Sequence, residues 1–371
     1  MKRVFIFASV FVLLFLFVSS PVYSQEKVGQ TRVIQEWGYD NVGARSWGMG
    51  GAFVGQADDI SAYFWNPAGL TQLERMGIYV ELFSKVRNKL YGMDVSSQFI
   101  PVQALQLGYK YRNVILSLGY TKSYNLNFDG YLVETYYSYP LDEDPYGNYQ
   151  FKLKINDSIS QHNFTCAFQL NKIISLGSAI FYNHYKILEE IEETSLKQTG
   201  SNFSGLFGFL LRPNSHISCG LSVMPQSRVD LECNEDLYPC EFVENEEKFP
   251  TKLRFDLSIS PLHATNINLD IQTTYWDAVY SYLEDKTDFY FGIEKRIYSN
   301  FSLRTGAYTK LTIHDFWYDD SYFLTLGFGL SIKPIDINLS LQDNQVLSRL
   351  VKGGHIEPEQ TFVVASMNCN F

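Results

Sequence analysis

Cysteine is scarce in this chain, with five in 371 residues. Too few exist for a disulfide framework to replace a core, and no cysteine–histidine spacing makes a zinc site. Basic charge is also short: the net charge of −10 leaves no positive field to neutralise phosphates, which excludes nucleic acid as a partner. The six histidines (His162, His184, His216, His263, His314, His355) are scattered. None stands with a serine and an acid in a nucleophile motif, and there is no phosphate-cradling glycine loop. Catalysis therefore finds no support, and no cofactor is expected. After the N-terminus, no apolar run approaches the ~18 residues of a membrane-spanning helix.

The N-terminus itself reads as a secretory signal. Lys2 and Arg3 precede the apolar run Val4–Val18, and Val22, Tyr23 and Ser24 offer a cleavage site. Residues 1–24 are assigned to it. An exported chain meets oxidising conditions, so Cys233 and Cys240, close together in an acidic segment, are expected to form a local disulfide. Cys166, Cys219 and Cys369 are expected to stay free.

What is abundant is aromatic side chains, 16% of the whole, and two-residue alternation. Leu253, Phe255, Leu257 and Ile259 alternate with Lys252, Arg254, Asp256 and Ser258, and Ile335, Ile337, Leu339 and Leu341 with Asp336, Asn338, Ser340 and Gln342. Strands with one apolar and one polar face follow. Such strands suit a soluble sandwich, or a membrane barrel with its apolar face outward. Connections separate the two. Six are short: Arg112-Asn113, Asn171-Lys172, Pro213-Asn214, 261–266, 298–300 and Lys333-Pro334. Seven are long, near 85–101, 123–157, 187–199, 228–248, 277–286, 312–320 and 344–360. Thirteen connections join fourteen strands, and short turns at one end with long loops at the other are the habit of membrane barrels. The segment 90–111 is compatible with one strand or two. The chain closes on Val363, Ala365, Met367, Cys369 and Phe371, an alternating strand with an aromatic end that resembles the signal read by barrel-assembly machinery.

A barrel of that width is not filled by its wall side chains, so something must plug it. Residues 25–75 precede the first strand and carry the densest motif of the chain. Gly48-Met49-Gly50-Gly51-Ala52-Phe53, then Ala57-Asp58-Asp59, then Asn66-Pro67-Ala68-Gly69-Leu70 follow in order. This block resembles the N-terminal hatch of the FadL-like outer-membrane transporters of long-chain fatty acids and hydrocarbons, including their secretion-associated relatives. The resemblance implies an all-β fold, a transmembrane antiparallel barrel of 14 strands over residues 76–371 with a luminal hatch over 25–75. It also implies passive uptake of a hydrophobic small molecule and a gate at Asn66, Pro67, Ala68 and Gly69. Relatives that serve protein secretion or surface attachment leave a binding and assembly role as the alternative.

On the residues alone, Asp58 or Asp59 can cap a short helix over 60–65, which Pro67 stops. Lys110, Lys252, Arg254, Arg296, Arg304 and Lys310 share the polar face with Asp256, Asp270, Glu294 and Asp336. Arg254, Arg296 and Arg304 are the candidates to receive a carboxylate headgroup. The competing reading is an ion network tying hatch to wall, Asp58 and Asp59 included, and mixed signs on neighbouring strands favour it. Leu206 and Leu210 place apolar groups on the inner face of strand six, as a greasy ligand requires or as contact with Phe53, Val54 or Phe64 of the hatch would also explain. The aromatics of 123–157 (Tyr124, Tyr131, Tyr136 and Tyr137 among them) can gather amphipathic ligand at the outer surface, or equally pack against neighbouring loops and make contacts at the level of lipopolysaccharide. The expected partners are hydrophobic small molecules, outer-membrane lipid and the assembly machinery, with the protein acting as a monomer.

Overall fold

The computed structural model describes residues 42–371 apart from 91–92, 95–97, 138–145, 192–193, 235–245, 282, 311–319 and 354–358. Residues 1–24, read above as a secretory signal, and residues 25–41 lie outside the described residues. From Met76 the chain forms one closed antiparallel wall. Its strands are β1 Met76–Leu90, β2 Gln98–Tyr111, β3 Val114–Tyr137, β4 Tyr146–Gln169, β5 Ile174–Ile191 and β6 Thr194–Leu211. β7 runs in two pieces, Ile217–Met224 and Ser227–Asn234, and β8 in two, Glu246–Phe249 and Thr251–Leu262. Then follow β9 Thr265–Tyr275, β10 Lys286–Tyr298, β11 Phe301–Lys310, β12 Ser321–Ile332, β13 Ile335–Asp343 and β14 Glu359–Asn370. β14 closes on β1 with Gly77 opposite Asn370 and Lys89 opposite Glu359. The fourteen strands expected from the connections are present, each short turn lies where the sequence placed it, and 98–111 is a single strand beside the two-residue piece Met93–Asp94.

Burial fixes which face is which. Leu118 is 58% exposed, Ile180 55% and Phe255 49%, all pointing outward, whereas Gln106, Asp256, Asn268, Ser340 and Gln342 are fully buried on the inner face. Apolar outside and polar inside is the reverse of a water-soluble sandwich and the pattern of a membrane barrel. No helix among the described residues is long and apolar enough to cross a membrane.

The wall is lopsided. β3 and β4 have 24 residues each and β13 has 9. At ~3.3 Å per residue the former run on the order of 80 Å and the latter about 30 Å. Much of the supposed loop 123–157 is therefore strand, as are parts of 85–101, 187–199 and 228–248, and 344–360 contains a helix, Gln345–Lys352. The sequence hides this because alternation needs one face in lipid. Beyond the membrane both faces of a hairpin meet water, and the two-residue pattern fades. Tyr124 is accordingly not an exposed collector; it is buried with Ile159, Tyr185, Ile187, Val229 and Leu231.

Inside the wall sit α1 Ala44–Gly48, α2 Ala62–Trp65 and the 3-10 turn Pro67–Gln72. Trp47, Phe53, Tyr63 and Trp65 are at most 2% exposed and form one cluster with the inward side chains Phe83, Phe181, Phe323 and Val364 of the wall. Wrapping the wall around this segment gives the barrel the apolar core that its own polar inner face lacks.

Candidate functional site

The hatch is fixed to the wall by backbone contact, by amide bonds and by buried charge. Single glycines on the inner faces of β5, β6, β7, β10 and β11 (Gly177, Gly208, Gly220, Gly292, Gly306) let the hatch backbone touch the wall backbone. A Cβ on Gly208 would lie within 2.8 Å of Pro67 Cδ and overlap the Asn66 amide; on Gly292 it would lie within 2.8 Å of Met49 Cβ. Sequence reading missed these positions. Their signal is a lone glycine at an inward place in an alternating strand, which marks a close backbone approach.

Asn66 is fully buried. Its Nδ2 donates to Val54 O at 2.8 Å and Phe209 O at 3.0 Å, while its Oδ1 accepts from Ala68 N at 3.2 Å. One side chain thus ties the hatch to itself and to β6. As the sequence implied, α2 ends before Pro67, with Asn66 extended at φ −151°. Asn66 also opens the 3-10 turn Pro67–Gln72, in which Ala68 and Gly69 are buried. Gly69 lies against Ala57, where no side chain fits. The capping expectation needs adjustment: Asp59 accepts from Ser61 N at 2.9 Å and Ser61 Oγ at 2.5 Å, so it fastens the turn ahead of α2 and not the helix itself. Burial pushes the Asp59 carboxyl above its ordinary range, and Arg45 opposes that shift.

Two ionic groups join hatch to wall. In the first, Arg45 of α1 pairs with Asp58 at 2.5 Å and with Glu294 of β10 at 2.9 Å, and Arg304 of β11 reaches the same Glu294 at 2.6 Å. In the second, Arg254 of β8 pairs with Asp270 of β9 at 3.4 Å and lies between the rings of Trp65 and Tyr290, 4.6 and 4.2 Å from their centroids. Asp256, next on that face, accepts the Gly55 amide at 2.7 Å. Arg296 lies apart from both: it is exposed near the short turn that follows β10. Of the wall lysines, Lys110 donates to Thr71 O and Leu73 O at 2.7 and 2.8 Å and holds the hatch exit. Leu206 is buried and faces inward at a recess; Leu210, fully buried, stands between Ser175 and Gly220 of the flanking strands. Cys233 is disulfide-bonded and Cys166, Cys219 and Cys369 are free; Cys240 lies outside the described residues.

The recess is a half-open cavity of about 90 Å³. Phe64 and Trp65 of the hatch form its floor. Phe181, Tyr185, Leu206, Met224, Pro225, Phe249, Pro250 and Trp276 give it apolar walls, and Gln161, Asn183, Ser204, Ser222, Lys252, Arg254 and Gln272 give it a few polar points. An apolar cavity with sparse polar groups is the usual form of a small-molecule site. It adjoins a break in the wall. β6 pairs with β7 through 197–200 against 231–234 and again through 207–211 against 219–223, and no ladder pair joins 201–206 to 224–230. Asn202 Nδ2 to Arg228 O, 2.9 Å, crosses the break. Pro225, without an N–H, lies in it on β7, and Pro250 faces it from β8. At ~3.3 Å per residue the unpaired stretch is about 20 Å long. β7 and β8 stay in one register past both prolines, from Asp230 opposite Glu246 to Ile217 opposite Ile259, so they bend from β6 together.

A closed barrel around a packed N-terminal segment, with one recess beside a wall break, defines a plugged membrane barrel. Solved structures share the barrel fold. The chain aligns with the toluene transporter TodX of Pseudomonas putida over 91% of its length and 100% of that chain, TM-score 0.62 at 13% identity. The toluene transporter TbuX of Ralstonia pickettii gives 90% and 99%, 0.62 and 13%. The monoaromatic hydrocarbon channel CymD gives 90% and 99%, 0.61 and 15%. No family model matches the sequence, and no curated protein does. The fold is that of these transporters and channels.

Proposed function

We propose that the protein is an outer-membrane channel for passive uptake of a hydrophobic small molecule, which lodges in the recess above Phe64 and Trp65 and leaves through the β6–β7 break. The observation that carries this reading is the recess itself: apolar on most sides, floored by the hatch and continuous with an unpaired stretch of wall. A ligand leaving sideways stays in an apolar medium and needs no displacement of a hatch held by buried charge and backbone contact. The likeness to toluene and monoaromatic hydrocarbon channels supports the same class of cargo.

Among the three candidate arginines, Arg254 alone lines the recess, and its charge already faces Asp270. A carboxylate would have to compete with that pair, so a neutral, aromatic or hydrocarbon-like cargo fits better than a fatty acid. Arg304, held by Glu294, serves the hatch–wall network. The gate assigned to Asn66–Gly69 is, in this reading, a fixed floor.

The test fills the recess. Ser204→Trp in the intact protein is expected to bring alkylbenzene uptake by cells down to that of cells lacking the protein, while heat-modifiable migration shows a folded barrel. A hatch cross-linked to the wall near Asn66 should leave uptake intact. If uptake of every hydrophobic compound tried is equal with and without the protein, transport fails, and the alternative role in protein secretion or attachment takes its place.

A further inference from the structure

β13 stops at Asp343, and in place of a loop the chain forms α3, Gln345–Lys352. Asp343 Oδ1 accepts from the N–H groups of Gln345 and Val346 at 2.9 and 3.1 Å, which starts the helix. Asn344 bonds to Gln360 of β14 in both directions, N to O at 3.2 Å and Oδ1 from N at 2.9 Å. Ser348 Oγ accepts from Tyr322 N at 2.9 Å and donates to Tyr322 O at 3.2 Å. The helix therefore occupies the place between β12 and β14 where β13 would have continued.

Its sidedness is inverted. Gln345 and Ser348 are buried, whereas Val346 is 51% and Leu350 78% exposed. Val346, Leu347, Leu350 and Val351 follow the spacing of one helical face. In water such a face would turn inward. Here it continues the outward apolar belt of the neighbouring strands, where Leu326 and Leu339 are each 44% and Leu341 40% exposed. The nine residues of β13 rise about 30 Å along the strand, hence roughly 23 Å across a bilayer at a tilt near 40°, close to the ~25 Å apolar band of such barrels. α3 thus begins where the band ends. Its last turn carries Arg349 and Lys352, both exposed, and the helix has no acid.

We propose that α3 is an interfacial helix of the barrel rim whose Val346–Leu350 face lies in the outer leaflet and whose Arg349 and Lys352 bind the headgroup of a phosphate-bearing lipid. Apolar face, height and charge all match that occupant and no soluble one. The inference rests on the membrane reading of the barrel and is independent of what the barrel carries.

The experiment uses full-length protein in lipid nanodiscs. Leu350→Trp adds one emitter to the five native tryptophans. The added emission should be quenched by lipid brominated near the headgroup and spared by aqueous iodide. Should this variant fold badly, Val346→Trp repeats the measurement. In native mass spectra from mixed phosphatidylglycerol and phosphatidylcholine, the double variant Arg349→Gln, Lys352→Gln should lose preference for the anionic lipid by about fivefold per cation. Quenching by iodide alone, or protection from both quenchers as a protein partner would give, overturns the interfacial placement. Unchanged lipid preference overturns the headgroup role. Uptake should persist in all these variants, which separates failure here from failure of the transport reading.

Discussion

Removing the Glu294 carboxylate should loosen the hatch without unfolding the wall. Among the described residues, Glu294 is the acid that pairs with both Arg45 and Arg304, at 2.9 and 2.6 Å. Its side chain is 9% exposed, and that of Arg304 is 5%. In Glu294→Ala, Arg304 loses its acid in a dry site, and Arg45 keeps only Asp58 and Asp59, at 2.5 and 3.5 Å. Breaking a buried pair from one side costs about 3–5 kcal/mol, because a charge is left uncompensated. The strands on either side lose nothing from their ladders: residue 294 keeps its register opposite Asn266 and Arg304, and the backbone is unchanged. The cost therefore falls on the hatch. At ~1.4 kcal/mol per decade, the population with a detached hatch should rise about 10²- to 4 × 10³-fold.

Hydrogen exchange of the purified barrel reads this directly. Amides of residues 44–72 should lose protection by that factor, while those of β10 and β11 keep theirs. Glu294→Gln, which keeps the shape and loses the charge, should show most of the effect. The double variant Glu294→Ala, Arg304→Ala should lose less protection than the single one, since it removes the stranded cation as well. Hatch protection within a few-fold of the native value in Glu294→Ala would refute the argument that charge holds the plug. It would leave backbone packing as the sole restraint.

Three more tests address separate links. Gly208→Val places side-chain atoms into Asn66 and Pro67, an overpacking cost of about 1–3 kcal/mol or more, and should raise hatch exchange with the barrel still heat-modifiable. Asn66→Ala strands the carbonyls of Val54 and Phe209 and should cost the hatch about 1–3 kcal/mol, read by the same exchange. Peptide mapping without reduction should recover Cys233 joined to Cys240; both thiols alkylated in the native protein would disprove that bridge.

How much of this was legible in the sequence depends on what each residue faces. β13 and the Thr251–Leu262 piece of β8 were readable because lipid on one side and a polar lumen on the other force a strict alternation. β3 and β4 were not, because their outer halves leave the membrane. Arg254, Arg296 and Arg304 shared one pattern in sequence and came apart in space. Parity tells which face a residue is on and says nothing of its depth, so Arg296 emerged at the turn while the other two met the hatch. Their charge partners could not be matched, since Glu294 is claimed by Arg45 from a segment more than 240 positions away. Pro225 and Pro250 were a readable sign left unused: proline inside a strand removes a ladder donor and marks an edge or a break.

The three kinds of contact explain why a wall break and a firm plug occur together. A membrane barrel gains nothing from burying its apolar face in protein, since that face already lies in lipid. Its cohesion comes from the ladder and from what fills the lumen. Along β9 to β14 the ladder is interrupted only by a register shift between Arg296 and Tyr298, and the hatch docks there by Gly292, Gly306, Glu294 and Arg304. At the β6–β7 break six or seven residues forgo their strand partners, and the cost is offset by nearby anchors: Asn66 on Phe209, Gly208 against Pro67, and Arg254 between Trp65 and Tyr290. A loosened hatch should therefore widen the break as well. Exchange at 201–206 and 224–230 in Glu294→Ala, measured beside the hatch amides, decides whether plug and opening are one device or two.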